Sequence, residues 1–489
     1  MMEINTLLLV LLVGLLFYHL IKIRIVASRM PPGPPPLPIF GNLWTLKFQL
    51  HHKTTMKLAK TYGNTITVWV GQTPIVVVHG YEAIREGLTA NSEAIDMRAE
   101  RPFFNVYANG QGVLVANGYN WKQQRRLGTQ ILRNLGLGKE SLQWKIHAEA
   151  RRMVDVFIAK KGTAHDPKNC LMNAVSNVVS VLSFGHIFSL DDDIFQDLVV
   201  ATDSVTHFFG TPLGQLYDAF PWLVHNMPGP QQKVIHNLKI LNHILRQEIE
   251  SHKQNPSSEP TDVIDFYLEN ISKNEDDPAS VFTEINLCQV LLDLFLAGSE
   301  TLTSTLRWAL LLMVSYPDIQ EKVQSELDAY FQTSPNLHYE NRKKVPYTLA
   351  VLHEIQRYVT VAPMGLPRQC AQDVKLNGYK IKKGTVVVFC LASAHYDPNY
   401  WKFPNDFCPS NFLDKDGNFQ SNDAFIPFSA GHRRCIGENM ARMEFFIFFT
   451  SLLHAFTFRL PQGITKVNID GIFGTTFRPH PFHICAIPR

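Results

Sequence analysis

The chain lacks the cysteine arrangements that mark a disulfide framework or a structural zinc site. Its seven cysteines, Cys170, Cys288, Cys370, Cys390, Cys408, Cys435 and Cys485, form no CxxC pair and no disulfide rhythm. That excludes a small secreted scaffold and points to a reducing compartment. An odd count leaves at least one thiol free. Charge of one sign is also lacking, since a formal net charge of +3 over 489 residues gives no argument for a nucleic-acid partner. No repeat of fixed period occurs, so a solenoid is excluded. A nucleotide loop is missing too. LGLGKES, Leu135 to Ser141, resembles one but lacks the upstream glycine and has Glu140 where Ser or Thr must follow the lysine.

One long apolar run is present, at the start. Ile4 to Ile21 carries no charge and as a helix is long enough to cross roughly 30 Å of hydrocarbon. Glu3 precedes it, whereas Lys22, Arg24 and Arg29 follow, which predicts that the C-terminal side stays cytosolic. A cleaved signal peptide is disfavoured by the missing basic n-region and missing cleavage site. With that orientation the sequon Asn270-Ile271-Ser272 goes unused. Residues 1–21 are thus expected to be a transmembrane anchor in the endoplasmic reticulum membrane, in contact with lipid. Residues 22–45 follow as a basic, proline-rich linker. Five prolines between Pro31 and Pro36 forbid helix or ladder and predict a stiff extended spacer.

Residues 46–489 carry mostly helical periodicity. ITVWV and IVVVHG, separated by GQTP, read as a hairpin, and VKLNGYKI as a second one turning at Asn377-Gly378. Thr283 to Tyr316 is the longest helix candidate, capped by Thr283 and ended by Pro317. It is apolar on most sides through LLDLFLAG, so it belongs in the core. QNPSSEP and SKNEDDP read as exposed loops. The expected fold class is mainly α with a small β region, one large domain behind an anchor.

The chemistry concentrates at FIPFSAGHRRCIGENMARMEFF, Phe425 to Phe446. Gly431 and Gly437 flank Cys435, and Arg433 lies two residues before it. A thiol at a helix N-terminus, with amide dipoles and positive charge nearby, is poised as a thiolate ligand; a buried core cysteine is the plain alternative. Phe428, Gly431, Arg433, Cys435 and Gly437 match the F-x-x-G-x-R-x-C-x-G loop of the cytochrome P450 superfamily, and the chain resembles a vertebrate microsomal member of its second family over its whole length. The resemblance implies haem b with Cys435 as axial thiolate, which favours O–O cleavage.

Other motifs agree with that resemblance. LAGSET, Leu296 to Thr301, falls in the long helix. An acid and a hydroxyl there need partners or water; a back-bonded threonine and a core ion pair are the plain reading. The resemblance instead implies that Ala297 lies against the haem, that Thr301 hydrogen-bonds the oxygen being activated, and that Glu300 relays protons. Glu354 and Arg357 share a helix face at i, i+3, either as a surface pair or, by resemblance, as the buried E-x-x-R pair. Its third partner is Asn411 here, where the family carries Arg or His, so a weaker triad is expected. Trp121 and Arg125, with Arg98, Arg368 and Arg433, are implied haem-propionate contacts.

Lys122, Arg126, Arg133, Lys139 and Arg442 form an expected basic docking face for an acidic flavin-bearing donor, NADPH–cytochrome P450 reductase, with cytochrome b5 as a further partner. NADPH itself is not expected to bind this chain. A large apolar pocket is expected from Phe103, Phe104, Tyr107, Val113, Leu114, Phe208, Phe209, Phe295, Ala297, Val361, Ala362, Met364, Leu366, Phe473 and Thr475, each of which alone reads equally as core. FPWLVHNMP, Phe220 to Pro228, packs in the core or dips into the membrane. The implied activity is NADPH-supported monooxygenation of lipophilic xenobiotics, steroids or polyunsaturated fatty acids. A haem-thiolate hydroperoxide isomerase or dehydratase and a non-catalytic haem carrier are the alternatives.

Overall fold

In the computed structural model, which describes residues 2–136 and 140–489, the elements of the site hang on one central helix. In chain order the helices used below are α1 (Met2–Ala27), α2 (Pro102–Ala108), α3 (Gly118–Asn134), α4 (Glu140–Ala159), α5 (Lys168–Phe184) and α6 (Asp193–Phe208). They continue as α7 (Pro230–Gln254), α8 (Val263–Lys273), α9 (Glu284–Ser315), α10 (Pro346–Val359) and α11 (Glu438–Ala455). At 32 residues, α9 runs about 48 Å. Its start is set as the sequence predicts, with Thr283 Oγ1 accepting from the Asn286 amide at 3.2 Å. Pro317 begins the next helix immediately after its end. Both α5 and α6 pack along it, as do α10 and α11.

The β region is small. A five-stranded sheet has the order β1-β2-β7-β4-β3, with β1 Thr65–Val70, β2 Thr73–Val78, β3 Met97–Arg98, β4 Arg368–Gln369 and β7 Val386–Phe389. Its first turn is tighter than the sequence suggests. Thr73 and Pro74 lie inside β2, opposite Val70 and Trp69. Pro74 is tolerated because the parallel ladder to β7 begins one residue later, at Ile75 opposite Val386, so no third-strand bond needs its missing N–H. The second expected hairpin forms from β5 (Val374–Leu376) and β6 (Tyr379–Ile381). Asn377 and Gly378 both have positive φ, the geometry of a primed turn. Strand β8 (Phe456–Arg459) pairs with β11 (Cys485–Pro488), and β9 (Gly471–Phe473) pairs with β10 (Phe477–Pro479).

Two N-terminal features depart from the sequence reading. Helix α1 runs through Lys22 and Arg24 to Ala27, with Leu7, Leu8, Leu9, Val10 and Leu11 all exposed. The proline-rich stretch is extended but does not stand off as a spacer. Pro32 O accepts from the Thr67 amide at 2.9 Å, and the Asn42 amide group donates to Pro34 and Pro35 carbonyls. A Cβ on Gly33 would lie 1.9 Å from the Thr67 carbonyl oxygen, so the segment seats flush on β1.

Candidate functional site

Cys435 sits in a loop closed by its own amide, which donates to Phe428 O at 3.0 Å. Gly431 has φ +71, and a Cβ there would lie 1.8 Å from Leu88 O; that close approach admits glycine alone. Gly437 is different: nothing stands within 4 Å of a Cβ at that position, so it borders open space. Helix α11 starts at Glu438, which puts the thiol at a helix N-terminus as expected. Accessible area leaves Cys435 exposed, while burial pushes its thiol up against the pull of the Gly437 N–H and of Arg125. A group both reachable and desolvated lines an internal slot. On α9, Ala297 is exposed and Thr301 half-buried between buried Phe295, Leu296, Ser299 and Glu300. Ala297 and Thr301 share one face, and Thr301 Oγ1 donates to Ala297 O at 2.9 Å. Ile436 and Leu294 line one small cavity together, which brings the cysteine loop against this part of α9.

Beside the loop stands a cluster of guanidinium groups. Arg98, Arg368 and Arg433 are buried and Arg125 is half-buried. Burial first, then the neighbouring guanidiniums, hold Arg98 well below the ordinary arginine value. Burial and Arg368 bring Arg433 down to about 9, and burial brings Arg368 to about 10 despite Asp96. The cluster is held by backbone carbonyls: Arg433 donates to Asp96 O at 2.6 Å and Ala116 O at 2.7 Å. Arg98 donates to Leu114 O at 2.9 Å and Arg125 to Arg434 O at 2.8 Å. Asn117, unnoticed in the sequence, joins Arg98 and Arg433 through its side chain. The Trp121 ring lies 3.6 Å from the Arg433 guanidinium carbon, a cation–π stack. Arg433 Nη1 and Trp121 Nε1 are buried donors without a protein acceptor. Buried donors want partners, and repelling cations want an anion. A planar dicarboxylate whose metal is taken by a thiolate meets both needs, so these residues fit haem.

The structural pair is buried. Arg357 meets Glu354 through two bonds of 2.7 Å, both side chains being fully inaccessible. Asn411 donates to Glu354 at 3.2 Å and accepts from the Phe403 amide at 3.0 Å. The remaining Arg357 donors go to carbonyls of His395, Pro404 and Asp406. Burial pushes Glu354 up and Arg357 pulls it down.

Glu300 is committed to an ion pair, the plain reading of the sequence. Its Oε1 lies 2.8 Å from Arg478 Nε and accepts from Ser304 and Thr476. Burial pushes the acid up against the pull of Arg478, and its carboxylate turns from the exposed face that Ala297 and Thr301 share.

The expected pocket residues divide. Phe103, Phe104, Tyr107, Phe208 and Phe209 gather in one aromatic group, with Phe103 4.8 Å from Phe208 and 5.0 Å from Phe209 between ring centroids. Val113 and Leu114 are fixed by Asp293, a buried acid that sequence reading passed over. Its Oδ2 accepts their amides at 2.7 and 2.8 Å, and its Oδ1 accepts the Tyr107 hydroxyl at 2.5 Å. Val361, Ala362, Leu366, Phe473 and Thr475 are half-buried, and Val361 O holds the Phe477 amide at 2.7 Å. Two of the expected residues pack elsewhere. Phe295 is fully buried and stacks with Phe184 of α5, since two residues turn it about 200° from Ala297. Met364 packs in the sheet-side core, its sulfur accepting from Thr55.

On the outer face of α3, Lys122, Arg126 and Arg133 are exposed. Arg442 is not a free cation. It pairs with Glu438 at 3.0 Å and lies over the Phe428 ring, bracing the cysteine loop. Lys139 lies outside the described residues.

A haem-thiolate centre is thus the class that fold and site define. The cytochrome P450 family profile matches residues 31–486, and the chain belongs to this family. Among similar proteins are cytochrome P450 2J5 of Mus musculus, 39% identical over 96% of this chain and 94% of its own length, and cytochrome P450 2J2 of Homo sapiens, 39% identical over 94% and 92%. Cytochrome P450 2J1 of Oryctolagus cuniculus is 40% identical over 99% and 96%. The chain is a family-two P450 enzyme whose cofactor is haem b on a cysteine thiolate.

Proposed function

We propose that this enzyme inserts one oxygen atom from O2 into lipophilic substrates, drawn from xenobiotics, steroids and polyunsaturated fatty acids, with electrons from NADPH delivered by a membrane reductase. One observation carries the reading: the two orphaned donors, Arg433 Nη1 and Trp121 Nε1, stand in a guanidinium cluster beside the Cys435 loop. When bound, haem supplies dioxygen activation and atom transfer. The protein's part is placement. Cys435 would ligate iron, with the Gly437 N–H supporting its sulfur; Arg98, Arg125, Arg368, Arg433 and Trp121 would hold the propionates. Ala297 would leave room for the cofactor, and Thr301, whose hydroxyl donates to Ala297 O, would offer that hydroxyl on the same face of α9. The aromatic group around Phe103 and Phe209 excludes water and selects apolar substrates.

The setting we propose is the endoplasmic reticulum membrane, with α1 as a single-pass anchor and residues 46–489 as a cytosolic domain. Exposed apolar residues next to the domain support this: Phe40 touches Phe220, and Trp44, Trp222, Leu223 and Met227 are exposed. They form an apolar surface suited to lipid. Lys122, Arg126 and Arg133 suit docking of the reductase and of cytochrome b5.

The test incubates purified haem-loaded protein with reductase, NADPH, labelled dioxygen and a lipophilic panel. Label in a product is expected, and product without label overturns the reading. Rearrangement of a hydroperoxide without NADPH indicates an isomerase, and no turnover across the panel a haem carrier.

A further inference from the structure

Two helices, α6 and α9, converge on one buried guanidinium, Arg478 of β10. Its Nε meets Glu300 Oε1 of α9 at 2.8 Å. Its Nη1 meets Asp203 Oδ1 of α6 at 2.9 Å, and Nη2 donates to Thr206 Oγ1 at 3.2 Å. Lys168, at the start of α5, holds the other Asp203 oxygen at 2.8 Å. Two cations and two anions alternate, so the chain of charges is neutral. Its inner end is buried, with Glu300 at 2% and Arg478 at 8% exposure; its outer end, Asp203 and Lys168, meets solvent. Glu300 adjoins Thr301, and α6 ends in Phe208. A buried arginine between two acids is held only while both are in place, because loss of either leaves an imperfectly paired buried charge.

Resting on the monooxygenase reading, we propose that Arg478 is a positioning residue. It couples the helix carrying Phe208 to the Glu300–Thr301 segment, so that substrate seating under α6 is transmitted to the oxygen-handling face of α9. A substrate that displaces Phe208 and Phe209 moves Asp203, and Arg478 then shifts its weight between the two acids. The expected consequence is better use of electrons when α6 is seated, with less hydrogen peroxide released.

Hydrogen exchange and peroxide release on the haem-loaded full chain test this. Glu300→Gln, made in α9, is expected to speed exchange of the α6 amides near Asp203 about tenfold, the size of effect found within one buried network. Arg478→Gln is expected to raise peroxide released per NADPH, and Arg478→Lys, which keeps the charge, to restore part of the coupling. Should Arg478→Gln fail to fold, Asp203→Asn at the solvent end carries the peroxide test with the same expected rise. Unchanged α6 exchange in Glu300→Gln overturns the proposal. So do equal peroxide yields in parent, Arg478→Gln and Arg478→Lys, or in parent and Asp203→Asn. If the parent itself makes no labelled product, the monooxygenase reading fails, and the exchange result still decides whether α6 and α9 are linked.

Discussion

Glu354 and Arg357 show how one residue's environment sets the size of its effect. An exposed i, i+3 pair is worth about 0–1 kcal/mol, but this pair is wholly inaccessible. Removing the acid strands a buried guanidinium, so Glu354→Ala is expected to cost about 3–5 kcal/mol, read as a fall in thermal midpoint and loss of haem on purification. Asn411→Ala loses neutral or singly charge-assisted bonds and is expected to cost about 1–2 kcal/mol. An equal cost for both would contradict the assignment of Arg357 as a charge held mainly by Glu354. The sequence made the pair and its third partner legible, and it made Asn411 look like a weak substitute. What it hid was the compensation: carbonyls from His395, Pro404 and Asp406 satisfy Arg357. Backbone acceptors carry no residue-type signature, so no motif records them. Asp293 and Arg478 were illegible for a related reason, their partners lying 180 and 178 positions away in Val113 and Glu300.

Among elements, the contact of α7 with α8 makes a pH-dependent joint. His252, in the last turn of α7, meets Asp262 at 3.0 Å, and Asp262 also caps α8 through the Asp265 amide at 3.0 Å. The Asp262 hydrogen bond leads the causes that raise His252 from 6.5 to about 9. A histidine whose folded value is raised stabilises the fold fully below its unfolded value, and that contribution disappears as pH rises through the folded one. The joint is therefore expected to be intact below about pH 6.5 and to weaken from there to about pH 9. Urea midpoints measured across that window should fall in the parent, with a shallower fall in His252→Gln. A parent curve parallel to the variant's would rule the joint out. Element existence was largely readable, α9 most of all, because a capping threonine, a long apolar run and a terminal proline agree. The tight Gly71 turn was not, because Pro74 reads as a turn residue until the strand beside it is known.

At the scale of the whole molecule, the proposed docking of the reductase depends on which cations remain free. Five basic residues looked equivalent in the sequence, and packing separates the four that the structure describes: Lys122, Arg126 and Arg133 are exposed along α3, whereas Arg442 is spent on Glu438 and the Phe428 ring. Free charges steer an acidic partner over a screening length of about 8 Å at physiological salt, and a paired one contributes little to that field. Replacing Lys122, Arg126 and Arg133 together by glutamate is expected to raise the reductase concentration for half-maximal turnover about tenfold at low salt, with maximal turnover kept. The difference should shrink as ionic strength rises, because screening removes an attraction and a repulsion alike. Arg442→Ala should behave otherwise, lowering haem retention through the loosened Cys435 loop and leaving the salt dependence unchanged. If the Arg442 variant shows the salt-dependent defect and the triple variant does not, the docking face lies around the cysteine loop instead of along α3.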